Sequence, residues 1–279
     1  MTPSPDISVI IRARDEAGSI GRCLGLVRSQ EGFEAGAVEV IVVDSGSRDD
    51  TVAIAAGSGA RVISIPSCAF TFGGALNLGA GVASPSSRVF VALSAHAFPL
   101  DSGWLARLAA TFEDPVVACA CGERFAPDGS VLAGPVRFDG AVAAAHPSWG
   151  YSNAAGAFRA SLWRERPFRA DLPACEDREW ALHWISQGYA CVLDPALLVD
   201  HDHTHDPMVS IYRRARREAV GFGAFLDMPP YGVLDLAREW WTDLRFYDSP
   251  ARARLSHRRA ARLLGAYVGR RRAHLPAPR

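Results

Sequence analysis

The first hundred residues contain four short apolar runs, at 7–11, 38–43, 61–65 and 89–93. Each has the length and β-branched character of a buried strand. After the first run, Ile20, Cys23, Leu24 and Val27 recur at the spacing of one helix face. Strands that alternate with helices over short connections predict an α/β fold with a Rossmann-like, mostly parallel central sheet flanked by helices.

The second half of the chain has a less regular pattern. Strands are predicted at 116–121, 190–193 and 197–199, and helices at 104–112 and 176–187. Residues 126–150 are rich in Gly, Pro and Ala and give few periodic signals, so we expect a long functional or mobile loop there. Beyond Pro207 the pattern is mostly helical, which predicts a helical C-terminal extension.

Polar side chains follow three of the first four predicted strands. Because the carboxyl ends of parallel strands meet at one edge of a sheet, these residues are expected to share one cleft. They are Arg12, Asp15, Glu16, Asp44, Ser45, Ser94 and His96. A carboxylate such as Asp44 suits a nucleotide base or ribose, although a plain turn residue is an equal alternative. His96 alone could be either a metal ligand or a capped loop histidine.

Two further clusters could carry chemistry. His201, His203 and His205 alternate after a strand, which would place three imidazoles on one face and favours a metal or diphosphate role. Glu176 and Asp177 open a helix, where they either complement the helix dipole or provide a general base.

Composition and missing motifs exclude several classes. With 30 basic and 30 acidic residues the net charge is zero, so nothing recruits nucleic acid globally. The absence of GxGxxG after the first strand and of GxxxxGK[ST] argues against a dinucleotide dehydrogenase and a P-loop NTPase. Six scattered cysteines, no signal-peptide pattern and no apolar run of about 20 residues predict a reduced, cytoplasmic protein.

Taken together, the motifs over about residues 6 to 225 resemble an inverting family 2 glycosyltransferase of GT-A fold, in its rhamnosyltransferase-like subgroup. The segments that carry the resemblance, in chain order, are ISVIIRARDEAGSIGRCLGLVRSQ, VEVIVVDSGSRDDT, FTFGGALNLGA, CEDREWALHW and VDHDHTHDPMVSIYRRARREAVGFG. The resemblance implies a glycosyltransferase domain over 1–225, with a nucleotide-sugar half to about residue 100 and an acceptor half beyond it. Residues 226–279 would form the helical extension.

The resemblance also implies a role for each candidate residue. Asp177 would be the general base, and Glu176 would position the sugar or acceptor. The nucleotide-sugar would contact Arg12, Ala13, Asp15, Asp44, Ser45, Asn77, Ser94 and Ala95. A divalent ion on the donor diphosphate would be held by His96 with His201 or His203. The acceptor would be a hydroxyl of a carbohydrate, a small molecule or a lipid-linked compound.

One departure from the family pattern changes the expected metal. The family usually has Asp-x-Asp after the fourth strand, whereas this chain has Ser94-Ala95-His96. A neutral imidazole adds no negative charge, so we expect Mn²⁺ to be favoured over Mg²⁺.

Alternatives remain open at this stage. A sugar nucleotidyltransferase is disfavoured because residues 13–16 lack a basic Gly-rich loop. A non-catalytic sugar- or nucleotide-binding protein is favoured by the altered metal motif and opposed by Glu176-Asp177. The basic amphipathic segment 251–274 is expected to pack on the domain, with peripheral membrane contact as the alternative. The oligomeric state stays open, with the Trp240-Trp241 run as a possible interface.

Overall fold

The four apolar runs predicted in the first hundred residues form one half of an eight-stranded sheet. The computed structural model describes residues 6–34, 36–229, 231–242 and 250–273. The chain divides into two compact units, the first made of residues up to Ala170 with Asp177–His201, and the second of Asp171–Glu176 with the residues from Asp202 onward. The domain boundary expected at residue 225 stays a prediction.

The first unit contains all the strands described. They are β1 (Ile7–Ala13), β2 (Val38–Asp44), β3 (Arg61–Ser64), β4 (Val89–Ser94), β5 (Phe98–Pro99), β6 (Val117–Cys121), β7 (Val136–Phe138), β8 (Ala155–Arg159), β9 (Ala190–Leu193) and β10 (Val199–Asp200). Its helices are α1 (Ile20–Arg28), α2 (Thr51–Gly57), α3 (Phe72–Val82), α4 (Trp104–Ala110), α5 (Gly140–Ala145), α6 (Ala160–Glu165) and α7 (Glu176–Ser186), the last beginning on a residue of the second unit.

The sheet order is β3-β2-β1-β4-β8-β6-β9-β7. The first four strands are parallel, as predicted, whereas β8 lies antiparallel between β4 and β6, and β7 pairs antiparallel with β9. The mostly parallel α/β architecture is therefore confirmed, and the sheet contains two antiparallel strands that the hydrophobic pattern did not indicate.

The Gly-, Pro- and Ala-rich stretch 126–150 is more ordered than predicted. It contains β7 and α5, and the side chain of Asp139 caps α5 by accepting a hydrogen bond from the Ala141 amide. A three-residue strand and a helix of small residues are too short to give a periodic signal. The expectation of one long loop was wrong for this part of the chain.

The strand predicted at 197–199 was also misplaced. Pro195–Leu197 forms a 3₁₀ turn because Asp194 accepts a hydrogen bond from the Ala196 amide and Pro195 fits the first helical position. The strand that follows, β10, pairs antiparallel with β5. This pairing brings the segment before His201 beside the residues that follow His96.

Apolar layers cover both faces of the sheet. Ile7, Val9 and Ile11 of β1 belong to one buried cluster and Ile10 to the other. Trp180 and Trp184 of α7 pack in the second cluster, as expected from their spacing on one helix face. A sheet covered on both faces exposes only the ends of its strands, where ligands of such folds bind.

The second unit is helical where it is described. Its helices are α8 (Met208–Gly223), α9 (Val233–Thr242), α10 (Pro250–Leu255) and α11 (His257–Ala273). Helix α11 packs closely against α8, since a Cβ at Gly265 or Gly269 would lie 2.4 Å from the carbonyl oxygen of Tyr212 or Arg216. Leu263 and Arg259 of α11 are fully buried. None of the helices described is both long and apolar enough to cross a bilayer.

Helix α3 makes an unusually close approach to the parallel strands. A Cβ at Gly79 would lie 2.4 Å from Ile10 Cγ2 and 3.2 Å from Val43 Cγ2. We predict that Gly79→Ala lowers the free energy of unfolding by about 1–3 kcal/mol, because the core must move to admit the methyl group.

Gly81→Ala provides the matched control, since a Cβ at Gly81 in the same helix meets nothing within 4 Å. Urea denaturation followed by far-UV circular dichroism measures both variants. The control should be neutral or stabilising by up to about 1 kcal/mol, and equal losses in the two variants would contradict the packing argument.

Candidate active site

The carboxyl ends of three neighbouring strands form the floor of the candidate site. In the register of the sheet, Ala13 pairs with Asp44, and Arg12 pairs with Ser94. The polar residues that follow β1, β2 and β4 therefore meet at one edge of the sheet, as the sequence predicted.

Asp44 lies at the end of β2 and is buried, with 2% of its surface exposed. Its carboxylate accepts hydrogen bonds from the amides of Gly46 at 3.1 Å and Ser47 at 3.2 Å, and from the Ser47 hydroxyl. Ser45 donates both its amide and its hydroxyl to the carbonyl oxygen of Ala13. These bonds fix the turn between β2 and α2, so nucleotide contacts for Asp44, Ser45 and Ala13 stay predictions.

Asp15 holds an unfavourable backbone conformation next to this turn. Its φ is +53°, in the left-handed region that costs a non-glycine residue energy unless its surroundings enforce it. The Asp15 amide donates to Ser47 Oγ at 2.8 Å, and the Asp15 carboxylate accepts from the Arg48 amide at 2.8 Å. The loops after β1 and β2 are thus joined into one rigid wall.

His96 lies on the tight turn that follows β4. The turn is closed by a hydrogen bond from the Ala97 amide to the Ser94 carbonyl, and the Ala95 amide donates to the Arg12 carbonyl at 3.2 Å. The thiol of Cys23, in α1, lies 3.6 Å from the carbonyl oxygen of Ala97 in this turn. Burial raises the pKa of Cys23 to about 12, so the thiol stays protonated and can donate.

His96 is paired with a carboxylate from the loop after β1. Its Nδ1 lies 2.7 Å from Glu16 Oε1. Burial acts to raise the pKa of Glu16, but hydrogen bonds from His96 and Ser19 outweigh it, and the pKa lies below its usual value. An ionised carboxylate only accepts, so His96 donates from Nδ1, and this bond orients the imidazole ring.

His201 joins His96 from the end of the first unit. The two rings are stacked with centroids 4.9 Å apart, and a ring nitrogen of each lies within 4.8 Å of the other. Pairing of β10 with β5 positions this contact, because β10 ends one residue before His201 and β5 begins two residues after His96. Two imidazoles from distant parts of the chain therefore meet above the strand ends.

His203 and His205 belong to the second unit and do not continue an extended strand. The Asp206 amide donates to the His203 carbonyl at 3.1 Å, which makes 203–206 a turn. His203 Nδ1 lies 3.1 Å from Asp206 Oδ2, while His205 is exposed. The prediction of an extended segment over 201–205 was therefore wrong, because the strand ends at Asp200. A metal role for His203 stays a prediction.

A short hydrogen-bonded path connects the end of β1 to the start of α7. The Arg12 guanidinium donates to the carbonyl oxygen of Asn153 at 3.0 Å, and the Asn153 amide donates to Asp177 Oδ2 at 3.0 Å. The other carboxylate oxygen of Asp177 accepts from the Arg178 amide at 2.8 Å. Asp177 is half-buried, with its carboxylate oriented by two backbone donors.

The residues around this path were only partly visible in the sequence. Asn153 was not among the predicted site residues, since it precedes the unpredicted strand β8. Arg178 donates to the carbonyl oxygens of Gly150 and Tyr151, which holds the 150–153 loop against α7. The arginine in Glu-Asp-Arg at the helix start was the one signal that could have indicated this anchor.

Asn77 and Glu176 are engaged within the protein. The Asn77 side chain donates to the Phe168 carbonyl at 2.8 Å and accepts from Trp163 Nε1 at 2.9 Å. Glu176 is buried in the second unit, where its charge favours the cationic form of Arg217 against the burial that lowers the arginine's pKa. Ligand contacts for Asn77 and Glu176 stay predictions.

Comparison with known proteins finds similarity to glycosyltransferases. Residues 8–143 match the model of glycosyl transferase family 2. The chain is 28% identical over 190 residues to the O-antigen chain rhamnosyltransferase RfbN of Salmonella typhimurium. That alignment covers 63% of this chain and 60% of the relative, so the chain spans less than two thirds of the relative's length.

Solved structures show the same fold. The mannosyltransferase PcManGT of Pyrobaculum calidifontis, solved with GDP-Man and Mn²⁺, has a TM-score of 0.64 at 17% identity, over 96% of this chain and 86% of that chain. Glucosyl-3-phosphoglycerate synthase of Mycobacterium tuberculosis, solved with Mn²⁺, UDP and its product, has a TM-score of 0.58 at 20% identity, over 82% of each chain. Residues 8–143 therefore match glycosyl transferase family 2, and the fold of the chain is that of the GT-A glycosyltransferases.

Proposed function

We propose that the chain is an inverting glycosyltransferase that moves a sugar from a nucleoside-diphosphate sugar to a hydroxyl acceptor. The observation that carries this proposal is the path from Arg12 through Asn153 to Asp177. It ties a carboxylate at a helix start to the strand edge where nucleotides bind in α/β folds. The rhamnosyltransferase relative and the mannosyltransferase structure support the same class of reaction.

Asp177 is proposed as the general base. Its carboxylate is held by the amides of Asn153 and Arg178 and remains partly accessible. In a single displacement, Asp177 would take the acceptor's proton while the hydroxyl oxygen bonds to the anomeric carbon and the bond to the diphosphate breaks. Attack opposite the leaving group inverts the configuration. Glu176 is proposed to position the sugar or acceptor.

The nucleotide is proposed to lie along the ends of β1 and β2. Arg12, Ala13 and Asp15 would face the base and ribose with Asp44 and Ser45, while Ser94 and Ala95 would border the diphosphate, with Asn77 nearer the sugar. The fixed wall of the two joined loops supports this placement, because a preformed site loses little entropy on binding.

The histidine pair fits a divalent cation of the softer kind. The Glu16 bond orients the His96 ring, and a ring nitrogen of His201 lies within 4.8 Å of a ring nitrogen of His96. His203, two residues further along the chain, is the alternative to His201 that the sequence predicts as the partner of His96. Imidazole ligands favour Mn²⁺ over Mg²⁺, which prefers oxygen. When bound, the cation would supply positive charge to the leaving diphosphate.

Incubation of the purified protein with UDP-, GDP- and dTDP-sugars, Mn²⁺ and candidate hydroxyl acceptors tests the activity. NMR of the product compares its anomeric configuration with that of the donor. Retention of configuration would contradict the single displacement, and nucleotide binding without transfer or donor hydrolysis would favour the non-catalytic alternative.

The first prediction concerns the base. Asp177→Asn should lower kcat for transfer by about 10²–10⁴-fold, because the amide cannot take the hydroxyl proton. Donor affinity, measured by calorimetry, should be retained because the amide keeps an acceptor for the Asn153 N–H.

Asp114→Asn is the matched control for this measurement. Asp114 also accepts a backbone N–H, that of Val116, but it precedes β6 at the opposite edge of the sheet. The control should transfer sugar at the parent rate. An Asp177→Asn enzyme as active as this control would show that the base is a different group.

The second prediction concerns the carboxylate behind His96. Glu16→Ala should weaken Mn²⁺ binding by about 10–100-fold, since a carboxylate hydrogen-bonded to a ligating imidazole orients the ring and raises its basicity. Electron paramagnetic resonance of free Mn²⁺ measures the affinity without any catalytic turnover.

Glu16→Gln separates orientation from charge, because the amide oxygen can still accept from Nδ1. We expect its affinity to fall between those of the parent and Glu16→Ala. Glu31→Ala, at an exposed glutamate of the same unit, should bind like the parent. Parent-like Mn²⁺ affinity in Glu16→Ala would remove Glu16 from the site.

A further inference from the structure

Exposed apolar side chains are concentrated in the second unit. Seven of the ten large hydrophobic residues exposed in the described chain belong to it, although it is much the smaller unit. They are Met208, Val209, Val233, Leu234, Trp241, Leu255 and Leu264. Scattered single residues of this kind need no explanation, but a group on adjoining elements marks an interaction surface.

Helix α9 contributes most of this group. Val233, Leu234 and Trp241 fall on one face at helical spacing, with exposures of 66%, 85% and 61%. No residue of α9 is fully buried, and the half-buried Leu236 and Trp240 lie beside this face. The helix is therefore amphipathic with its outer apolar face in solvent.

Helix α10 extends the apolar face with arginine. The Arg254 guanidinium lies 4.8 Å from the centre of the Trp241 ring, which joins the two helices. Leu255 is 81% exposed and Arg252 is also exposed. We define the α9–α10 surface as Val233, Leu234, Trp241, Arg252, Arg254 and Leu255.

Arginine dominates the charge of the elements that form this surface. Residues 250–273 contain eight arginines and no Asp or Glu. On α9, the exposed Arg238 flanks the apolar face. The two carboxylates of α9 are engaged elsewhere, since Asp235 accepts the Gly232 amide at 2.8 Å and Glu239 lies 3.9 Å from Arg270.

We propose that the α9–α10 surface docks on an anionic lipid bilayer. Leucine and valine would enter the boundary of the acyl chains, tryptophan would lie at the headgroups, and the arginines would pair with lipid phosphates. A second copy of the chain is disfavoured as the occupant because it would bring arginines against arginines. The inference is independent of the proposed transferase reaction.

The proposed membrane contact differs in position from the one considered from the sequence, which was the segment 251–274. The segment expected to be basic and amphipathic includes α11, whose Gly265 and Gly269 lie against α8 and whose Leu263 is buried. Because α11 packs within the unit, most of its apolar side chains contact other residues of the unit. The lipid-facing role passes to α9 and α10, whose apolar residues remain exposed.

Flotation of the full chain with vesicles tests the proposal. Vesicles of phosphatidylcholine alone are compared with vesicles containing phosphatidylglycerol, at low and high salt. The parent should float with anionic vesicles only, and Leu234→Glu and Leu255→Glu should each lower the partition coefficient by about tenfold or more. Arg252→Ala should weaken binding and reduce its salt dependence.

Leu100→Glu is the matched control, because Leu100 is 65% exposed but belongs to the first unit. It should float like the parent, and circular dichroism should show the same fold in every variant. The proposal is overturned if the parent does not float with anionic vesicles or if the control loses binding equally. Dimers in light scattering that Leu234→Glu dissociates, without vesicle binding, would identify a second copy as the occupant.

Discussion

The register of β1 between β2 and β4 is the constraint on which the candidate site depends. It places Arg12 beside Ser94 and Ala13 beside Asp44, so three separate loops begin at the ends of three adjacent strands. A shift of one residue would exchange the side chains of β1 between the two apolar layers and remove Ile10 from its close contact with Gly79 of α3, which the tight packing of these layers disfavours. The position of the polar residues is therefore secured by hydrophobic burial rather than by the polar contacts themselves.

At these strand ends, the polar contacts orient the loops and their side chains. Asp15 and Ser47 join two loops, while Glu16 orients His96 from the same loop. Each contact uses a carboxylate or hydroxyl whose backbone is already fixed by the adjacent strand. Short loops on rigid strands give more precise positions than long loops would. Helix α7 is likewise fixed, because Trp180 packs in the core, and the helix therefore holds Asp177 in a defined position in its first turn.

The strand ends could be predicted from the sequence because an apolar run shows where a buried strand stops. That is why Asp44, Ser45 and Ser94 were recognised as neighbours. The Glu16–His96 pair was not predicted as a contact, since it depends on the left-handed backbone of Asp15, which no hydrophobic pattern encodes. Asn153 was missed because the strand that follows it, β8, has only five residues of mixed size and gives no clear pattern. The turn at 203–206 was missed because its backbone hydrogen bond competes with strand pairing, and the hydrophobic pattern does not show this.

The reversed direction of β8 has a consequence for how the chain can diversify. Since β8 runs against β4, its first residue, Ala155, lies opposite Leu93, and the connection that arrives there reaches the rim occupied by His96. Residues 122–135, which leave the same edge of the sheet at the end of β6, contain no named strand or helix and can therefore change in length. Such changes would reshape one wall of the groove while leaving the pairing of β1 with β2 and β4 untouched. The topology thus separates a fixed scaffold from a variable wall within a single sheet.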